Sequence, residues 1–268
     1  MTKAHTVRTL VDEWSSIDKL MADLSAEQWA APTSLPGWSV QDNVAHIVGT
    51  ELSLAGQQAP KNPAVRDLPY VHNDIGAMNE CWVQWMREQS PAEVHRRFRE
   101  ITATRAEALT AMSEEDFNAP SWTPAGQATY ARFMRIRVFD CWMHEQDIRE
   151  AVGIPGNESG SCAELSIDEI TAALGYIVGK KAQAPQGSSV TFDLTGPVSR
   201  QIHVLLDGRA AVVDSLPGAA TATLSIPSTL FTRVAGGRLP AEAGFAGATL
   251  KGDKDLASRV VSALRFTI

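Results

Sequence analysis

The stretch of sequence at 137–149 is RVFDCWMHEQDIR, and it lies within a longer segment, 127–151, that contains no Gly or Pro. That segment ends just before Gly153 and Pro155, two residue types that commonly terminate helices, so we predict one long helix over residues 127–151. At 3.6 residues per turn, Asp140 and His144 project from the same face of such a helix. Helical bundles use a carboxylate and an imidazole on adjacent turns to bind metal ions.

The rest of the first half also has the pattern of long helices. Apolar residues recur at helical spacing from Val7 to Leu20, which predicts an amphipathic helix over residues 6–24. Ser39 and Ser90 are predicted N-caps of further helices, each followed three residues later by an acidic residue, and residues 72–89 form another helical pattern. Long helices with short connections favour an antiparallel arrangement, so we predict a four-helix bundle over residues 1–152.

The second half has a different pattern, with short alternating segments separated by Gly and Pro. Ser166 and Glu169 resemble a capping box that begins a helix over residues 166–181, and Asp207-Gly208 is a hairpin signal. We expect a smaller α+β domain with a mostly antiparallel sheet over residues 161–268, joined by a linker at 153–160. Predicted strands are 190–194, 201–206, 210–213 and 221–226, and two more helices are predicted at 228–235 and 253–264.

The composition is that of an ordinary globular protein, with 268 residues of which 44% are hydrophobic and 21% charged. The net charge of −7 argues against a nucleic-acid partner and against an anionic membrane surface. No segment reaches the roughly 18 apolar residues of a transmembrane helix, and the N-terminus lacks the apolar core of a signal peptide. We therefore expect a cytoplasmic protein. The three cysteines form no CxxC pair, which argues against a zinc ribbon or a disulfide framework.

One further histidine completes a candidate metal site. His46 is predicted in the middle of a bundle helix, and with Asp140 and His144 it would form a facial set of three ligands. Three ligands leave open positions for water or a substrate thiol, which is typical of catalytic rather than structural sites. Spacing alone leaves two other readings open, an ordinary ion pair between Asp140 and His144, and Cys141 as a ligand in place of Asp140. Asp147 is a candidate to orient one of the imidazoles through a hydrogen bond to the ring nitrogen that does not bind the metal.

Two motifs and the tail resemble a known family. Residues 35–51, LPGWSVQDNVAHIVGTE, resemble the PGW-x-V-x-D-x-x-x-H segment of mycothiol-dependent maleylpyruvate isomerase-like proteins, which belong to the DinB-like helical superfamily. Residues 137–149 resemble the family's second motif, a carboxylate four residues before a histidine. Residues 250–268 are similar to the end of the sterol-carrier-like domain that often follows. The resemblance implies a DinB-like four-helix bundle and then a sterol-carrier-like α+β domain.

The resemblance also implies roles for individual residues. His46 and His144 match the family's histidine ligands, and Asp140 stands where the isomerase has a glutamate, which is one methylene longer. It implies a divalent metal, with zinc first and non-haem iron as the alternative that the same ligand set suits. It further implies mycothiol as a thiol cosubstrate and a small electrophile as substrate. Groups of the C-terminal domain contribute in the isomerase, and four arginines are available here for that role: Arg200, Arg209, Arg233 and Arg238.

Three functions are compatible with these features. In the leading hypothesis, the metal ion holds a low-molecular-weight thiol as its nucleophilic thiolate, for conjugation or for a reversible addition that permits cis–trans isomerisation. The second is a hydrolase that uses the ion to activate water. The third is a non-enzymatic protein that binds a small apolar ligand in its C-terminal domain. The sequence names neither the substrate nor the oligomeric state.

The tryptophans are predicted to have structural roles. Trp38 follows the Pro36-Gly37 turn and should pack between that turn and the bundle. Trp82, Trp85 and Trp142 are predicted core side chains.

Overall fold

The structure is a computed structural model that describes residues 2–267. The chain divides into two compact units, the first ending at Asn157 and the second beginning at Glu158. The predicted domain limits, 152 and 161, lie on either side of this division. None of the described helices is long and apolar enough to cross a membrane.

The described part of the first unit contains seven α-helices and a two-stranded hairpin. A 3-10 turn at Pro63–Asp67 precedes the fourth helix. The helices are α1 (Lys3–Ala22), α2 (Ala26–Trp29), α3 (Val40–Leu54), α4 (Asp74–Arg87), α5 (Pro91–Ala111), α6 (Glu114–Phe117) and α7 (Tyr130–Val152), and the strands are β1 (Pro120–Thr123) and β2 (Gly126–Thr129).

Side-chain caps begin the helices that matter for the site. Ser39 forms a capping box with Asp42, because each side chain accepts a hydrogen bond from the other residue's backbone N–H. Ser90 caps α5, with proline at the first helical position. Both predicted helix starts are confirmed. The first helix begins at Lys3, earlier than predicted, because Thr2 caps it.

Four of these helices close into a bundle. Helix α1 packs against α5 and α7, and α3 packs against the same two helices, while α4 packs against α3. The side chains between them are apolar and buried, among them Leu10, Ile17, Ile47, Phe98 and Val138. The predicted four-helix bundle is confirmed, and α3 and α7, which carry the three candidate ligands, are direct neighbours.

The segment before α7 differs from the prediction. We expected a helix from Gln127, but residues 120–129 form the hairpin β1–β2, which turns at Pro124-Ala125. Thr129 then caps α7, its hydroxyl accepting from the N–H of Arg132 at 3.2 Å. The cross-strand hydrogen bonds and this cap together stop the helix from extending further back.

The described part of the second unit contains a five-stranded sheet with helices packed on it. Its helices are α8 (Ser161–Tyr176), α9 (Ser228–Ala235), α10 (Ala241–Gly247) and α11 (Lys254–Ala263), and a π-helical turn follows α8 at Ile177–Lys181. Its strands are β3 (Ser189–Thr195), β4 (Arg200–Asp207), β5 (Arg209–Val213), β6 (Ala222–Pro227) and β7 (Thr249–Gly252).

The sheet has the strand order β5-β4-β3-β6-β7 and is mostly antiparallel, as predicted. The central pair β3–β6 is parallel, and the other neighbouring pairs are antiparallel. Phe192 on β3 lies opposite Ile202 on β4 and Leu224 on β6, and all three are buried. Gly208, at a φ of +67°, forms the predicted hairpin turn between β4 and β5.

Two predictions in this unit were wrong or incomplete. Helix α8 begins at Ser161, not at Ser166, whose hydroxyl instead donates to the carbonyl of Cys162 at 2.7 Å. Ser166 is buried within the helix, so the spacing of Ser166 and Glu169 resembles a capping box although no helix begins there. The short elements α10 and β7 were not predicted.

Two of the three predicted core tryptophans are buried. Trp82 and Trp142 are almost fully buried. Trp85 is only half-buried, and the guanidinium of Arg97 lies 4.8 Å from its ring centroid. The positive group therefore covers part of the ring that we expected apolar neighbours to cover.

Candidate metal centre

Three side chains from two helices meet on one side of the bundle. Nε2 of His46, on α3, lies 3.1 Å from Oδ2 of Asp140, and Nε2 of His144 lies 3.5 Å from Oδ1 of the same carboxylate. The two imidazole centroids are 4.7 Å apart. One potential ligand atom from each residue lies within 4.8 Å of the other two. Among the described residues, these are the three that the structure brings together as possible ligands.

The site is open on the carboxylate side. Both imidazoles are buried, with side-chain exposures of 7% for His46 and 6% for His144, whereas the side chain of Asp140 is 29% exposed. A small molecule would therefore approach past Asp140, with the imidazoles forming the inner wall.

Hydrogen bonds fix the orientation of His144. Its Nδ1 lies 2.7 Å from Oδ1 of Asn43 and 3.4 Å from Oδ2 of Asp147. Since the amide nitrogen of Asn43 donates to the carbonyl of Ser39, the amide oxygen faces the imidazole and accepts from it. Nδ1 therefore carries a proton, and Nε2 is the nitrogen that faces Asp140. Asp147 was predicted to orient an imidazole, but Asn43, which the sequence did not indicate, is the nearer partner.

His46 is held differently. Its Nδ1 is buried and has no hydrogen-bond partner among residues 2–267, so the contact with Asp140 fixes the ring. Burial lowers the pKa of His46 and outweighs the opposing effect of the Asp140 carboxylate. The imidazole is consequently neutral at pH 7, so a ring nitrogen has a lone pair available to bind a metal ion.

Asp140 is an anion in this environment. Burial alone would raise the pKa of its carboxyl group, but the interactions with His46, Arg137 and His144 outweigh burial and hold the pKa well below its usual range. Arg137 donates directly to Oδ2 of Asp140. Two neutral imidazoles and one carboxylate are a donor set that suits zinc and other borderline divalent ions. The residues present thus fit a divalent metal.

Cys141, the alternative ligand, lies outside this cluster. Its thiol is buried, and its sulfur accepts from Nη2 of Arg137 at 3.4 Å. Burial raises the pKa of the Cys141 thiol far above its usual range, so the group stays protonated and is a poor metal ligand.

Trp38 forms part of the wall of the site as well as packing on the turn. Its ring centroid lies 5.4 Å from that of His46 and 5.8 Å from that of His144. Its indole N–H donates to Oε2 of Glu80 at 2.9 Å, and Glu80 is buried. Sequence reasoning gave Trp38 a structural role alone and missed its contact with both imidazoles, although its place in the first motif was a usable signal.

Both units of the chain match models of one protein family. A family model described as the mycothiol maleylpyruvate isomerase N-terminal domain matches residues 10–149, which is just over half of the chain. A second model, described as the MDMPI C-terminal domain, matches residues 164–259. The chain belongs to the mycothiol maleylpyruvate isomerase family.

Solved structures of the family share this fold. A crystal structure of mycothiol-dependent maleylpyruvate isomerase aligns with a TM-score of 0.59 at 15% identity, covering 94% of this chain and 93% of that chain. A mutant of the same isomerase aligns with a TM-score of 0.58 and the same coverage and identity. At this identity the likeness shows the fold alone.

The names of the matching curated relatives state no activity. Two uncharacterized proteins of Mycobacterium tuberculosis, from different strains, are each 26% identical to this chain over 149 residues. The matched part is 55% of this chain, and the chain spans about half the length of these relatives, 56%.

Proposed function

We propose that this member of the mycothiol maleylpyruvate isomerase family is a metal-dependent enzyme that uses a low-molecular-weight thiol, mycothiol, on a small electrophile. The observation that supports the proposal is the convergence of His46, Asp140 and His144 at one point that is open on the Asp140 side. A structural metal site would be closed by a fourth side chain, whereas an open position is what a catalytic site needs.

A divalent ion bound there would supply Lewis acidity, lowering the pKa of a thiol so that it reacts as the thiolate. The chain contributes position and charge. An imidazole that binds a metal ion is neutral, so His46, His144 and the single negative charge of Asp140 would leave a divalent site with a net positive charge, which favours an anionic sulfur. The buried imidazoles and the Trp38 ring exclude water from the inner side.

The thiolate sulfur would attack an electrophilic carbon of the substrate and form a C–S bond. If that carbon belongs to a C=C bond conjugated to a carbonyl, the electron pair moves to the carbonyl oxygen, and the former double bond can rotate. Expulsion of the thiolate then restores the double bond, which amounts to cis–trans isomerisation. If a proton is captured instead, the conjugate is the product. Both outcomes begin with the same addition.

The first test is metal content and thiol binding. We expect the protein, purified without chelator, to carry close to one zinc per chain, and the Co²⁺-substituted protein to develop a sulfur-to-cobalt charge-transfer band when mycothiol or a simpler thiol is added. His144→Ala should lose both signals. His95→Ala is the matched control, because His95 pairs with Asp18 on the bundle and is not part of the site.

Thiol-independent hydrolysis of esters or amides by the zinc-loaded protein would contradict the thiol mechanism and favour the hydrolase. Iron rather than zinc in the purified protein would change the metal but leave the ligand set in place.

Binding of a small ligand by the second unit is a second candidate. An open cavity of about 390 Å³ in this unit is lined by apolar and polar residues, among them Val234, Leu239, Val261, Arg238 and Arg265. Small-molecule sites are commonly cavities of this size that combine an apolar wall with a few polar groups. Ligand binding that survives His46→Ala and His144→Ala, with no turnover found, would favour this function.

A further inference from the structure

A chain of buried charges leads from the core of the bundle to the metal site. Glu51 on α3 is fully buried and accepts from two arginines, Nε of Arg137 at 2.8 Å and Nε of Arg105 at 3.0 Å. Both guanidinium groups are buried as well, with side-chain exposures of 2% for Arg137 and 5% for Arg105. One carboxylate thus ties together three helices of the bundle, α3, α5 and α7.

The two arginines differ in their second contact. Arg105 turns away from the site, and its Nη2 donates to the hydroxyl of Tyr130 at 2.6 Å. Arg137 lies one turn before Asp140 on the same helix and donates from Nη1 to Oδ2 of that carboxylate. The guanidinium of Arg137 therefore bridges Glu51 and the candidate ligand.

This bridge makes the two oxygens of Asp140 unequal. Oδ2 accepts from Arg137 and also lies 3.1 Å from Nε2 of His46, whereas Oδ1 faces Nε2 of His144 at 3.5 Å. A planar guanidinium that is held at one end can fix the plane of a carboxylate bound at its other end, which a single ammonium group cannot do.

We propose that Arg137 is a positioning residue of the metal centre: anchored on Glu51, it holds Asp140 by Oδ2 and leaves Oδ1 to bind the ion. The inference rests on the metal site of the proposed function, but it needs neither the thiol nor a substrate. In this proposal Glu51 anchors Arg137, and Arg105 has no role in the metal site.

The experiment compares Arg137→Lys with Arg105→Lys in the full chain. Both changes keep the positive charge and weaken one contact with Glu51, but Arg137→Lys alone disturbs the hold on Asp140. Co²⁺ titration should show about 10- to 100-fold weaker binding for Arg137→Lys, as expected when an outer partner of a metal ligand is lost. The visible d–d bands of bound Co²⁺ should also shift, because a freed carboxylate changes the coordination geometry. Arg105→Lys should keep the wild-type affinity and bands.

Equal Co²⁺ affinities and identical bands in the wild type and Arg137→Lys would overturn the proposal. So would an equal loss in both variants, because that would indicate general loosening of the bundle. If Arg137→Lys does not fold, Glu51→Gln replaces it in the experiment. This near-isosteric change removes the negative charge that anchors Arg137, so it should weaken Co²⁺ binding and shift the d–d bands. An unchanged spectrum would again overturn the proposal. A wild type that binds Co²⁺ but no thiol would contradict the proposed function and leave this comparison valid.

Discussion

At the scale of single residues, the candidate site consists of ligands together with the groups that orient them. His144 is fixed by Asn43 from behind, whereas the buried Nδ1 of His46 has no such partner among the described residues. An imidazole whose remote nitrogen donates a hydrogen bond is held in one tautomer and one orientation. Of the two histidines, His144 is therefore the more rigid ligand.

We expect Asn43→Ala to weaken metal binding by about 10- to 100-fold, since Nδ1 of His144 loses its nearest acceptor. Co²⁺ or Zn²⁺ titration against a competing chelator measures the change. Asn118→Ala is the control, because Asn118 is exposed at the end of α6 and its side-chain amide donates to the backbone carbonyl of Glu114. An unchanged affinity in Asn43→Ala would mean that Asp147 alone orients the imidazole.

At the scale of elements, the turn before α3 sets the position of both Trp38 and His46. Gly37 has a φ of +76°, a conformation that glycine adopts readily and other residues adopt only with strain. A Cβ at this position would lie 2.5 Å from the Tyr70 ring. The turn thus depends on the absence of a side chain for two separate reasons.

Gly37→Ala should lower the free energy of unfolding by more than the roughly 1–2 kcal/mol that a left-handed alanine costs. Gly56→Ala is a matched control, because Gly56 has a φ of +89° and, among the described residues other than its chain neighbours, none has a heavy atom within 4 Å of a Cβ placed there. Denaturant unfolding of both variants separates the backbone cost from the collision with Tyr70. Equal losses in the two variants would show that the Tyr70 ring moves aside freely.

The contact between α1 and α5 gives the bundle a pH dependence. Oδ1 of Asp18 lies 2.6 Å from Nε2 of His95 and 2.6 Å from Nε of Arg99. Partial burial would raise the pKa of Asp18, but the hydrogen bonds from Arg99 and His95 outweigh it and lower the pKa below its ordinary value of 3.8. A carboxyl group with a lowered folded-state pKa stabilises the fold above its unfolded pKa, and that stabilisation disappears as the pH falls through the folded value.

We therefore expect Asp18→Asn to be less stable than the wild type at pH 6 and the difference to shrink as the pH falls below about 4. Urea unfolding across this range measures it. Asp12→Asn, an exposed carboxylate on the same helix, controls for the loss of a surface charge. A difference in stability that does not change with pH would contradict the role of the ion pairs.

At the scale of the whole molecule, the candidate ligands and the groups that orient them all belong to the first unit, as do the seven tryptophans of the chain. Intrinsic tryptophan fluorescence therefore reports on the unfolding of the first unit. A ligand that binds only the folded state stabilises it by mass action, by about 2.7 kcal/mol when its free concentration is 100 times its dissociation constant.

Saturating Zn²⁺ should raise the unfolding midpoint followed by tryptophan fluorescence, and His144→Ala should abolish the shift. His95→Ala should retain the wild-type response. A shift of equal size in His144→Ala would place the bound metal somewhere other than the candidate site.

The sequence by itself determined the two-part organisation, the caps of α3 and α5, and the one-turn spacing of Asp140 and His144, because each depends on neighbours within a few residues. It misjudged the start of α7, where Thr129 and the β1–β2 hairpin compete with helical periodicity. The groups that hold the ligands were decided only by the tertiary structure. Asn43 and His144 are 101 residues apart in sequence, and Glu51 and Arg137 are 86 apart. No local pattern links such pairs, since helix packing brings them together and burial then requires each polar group to find a partner.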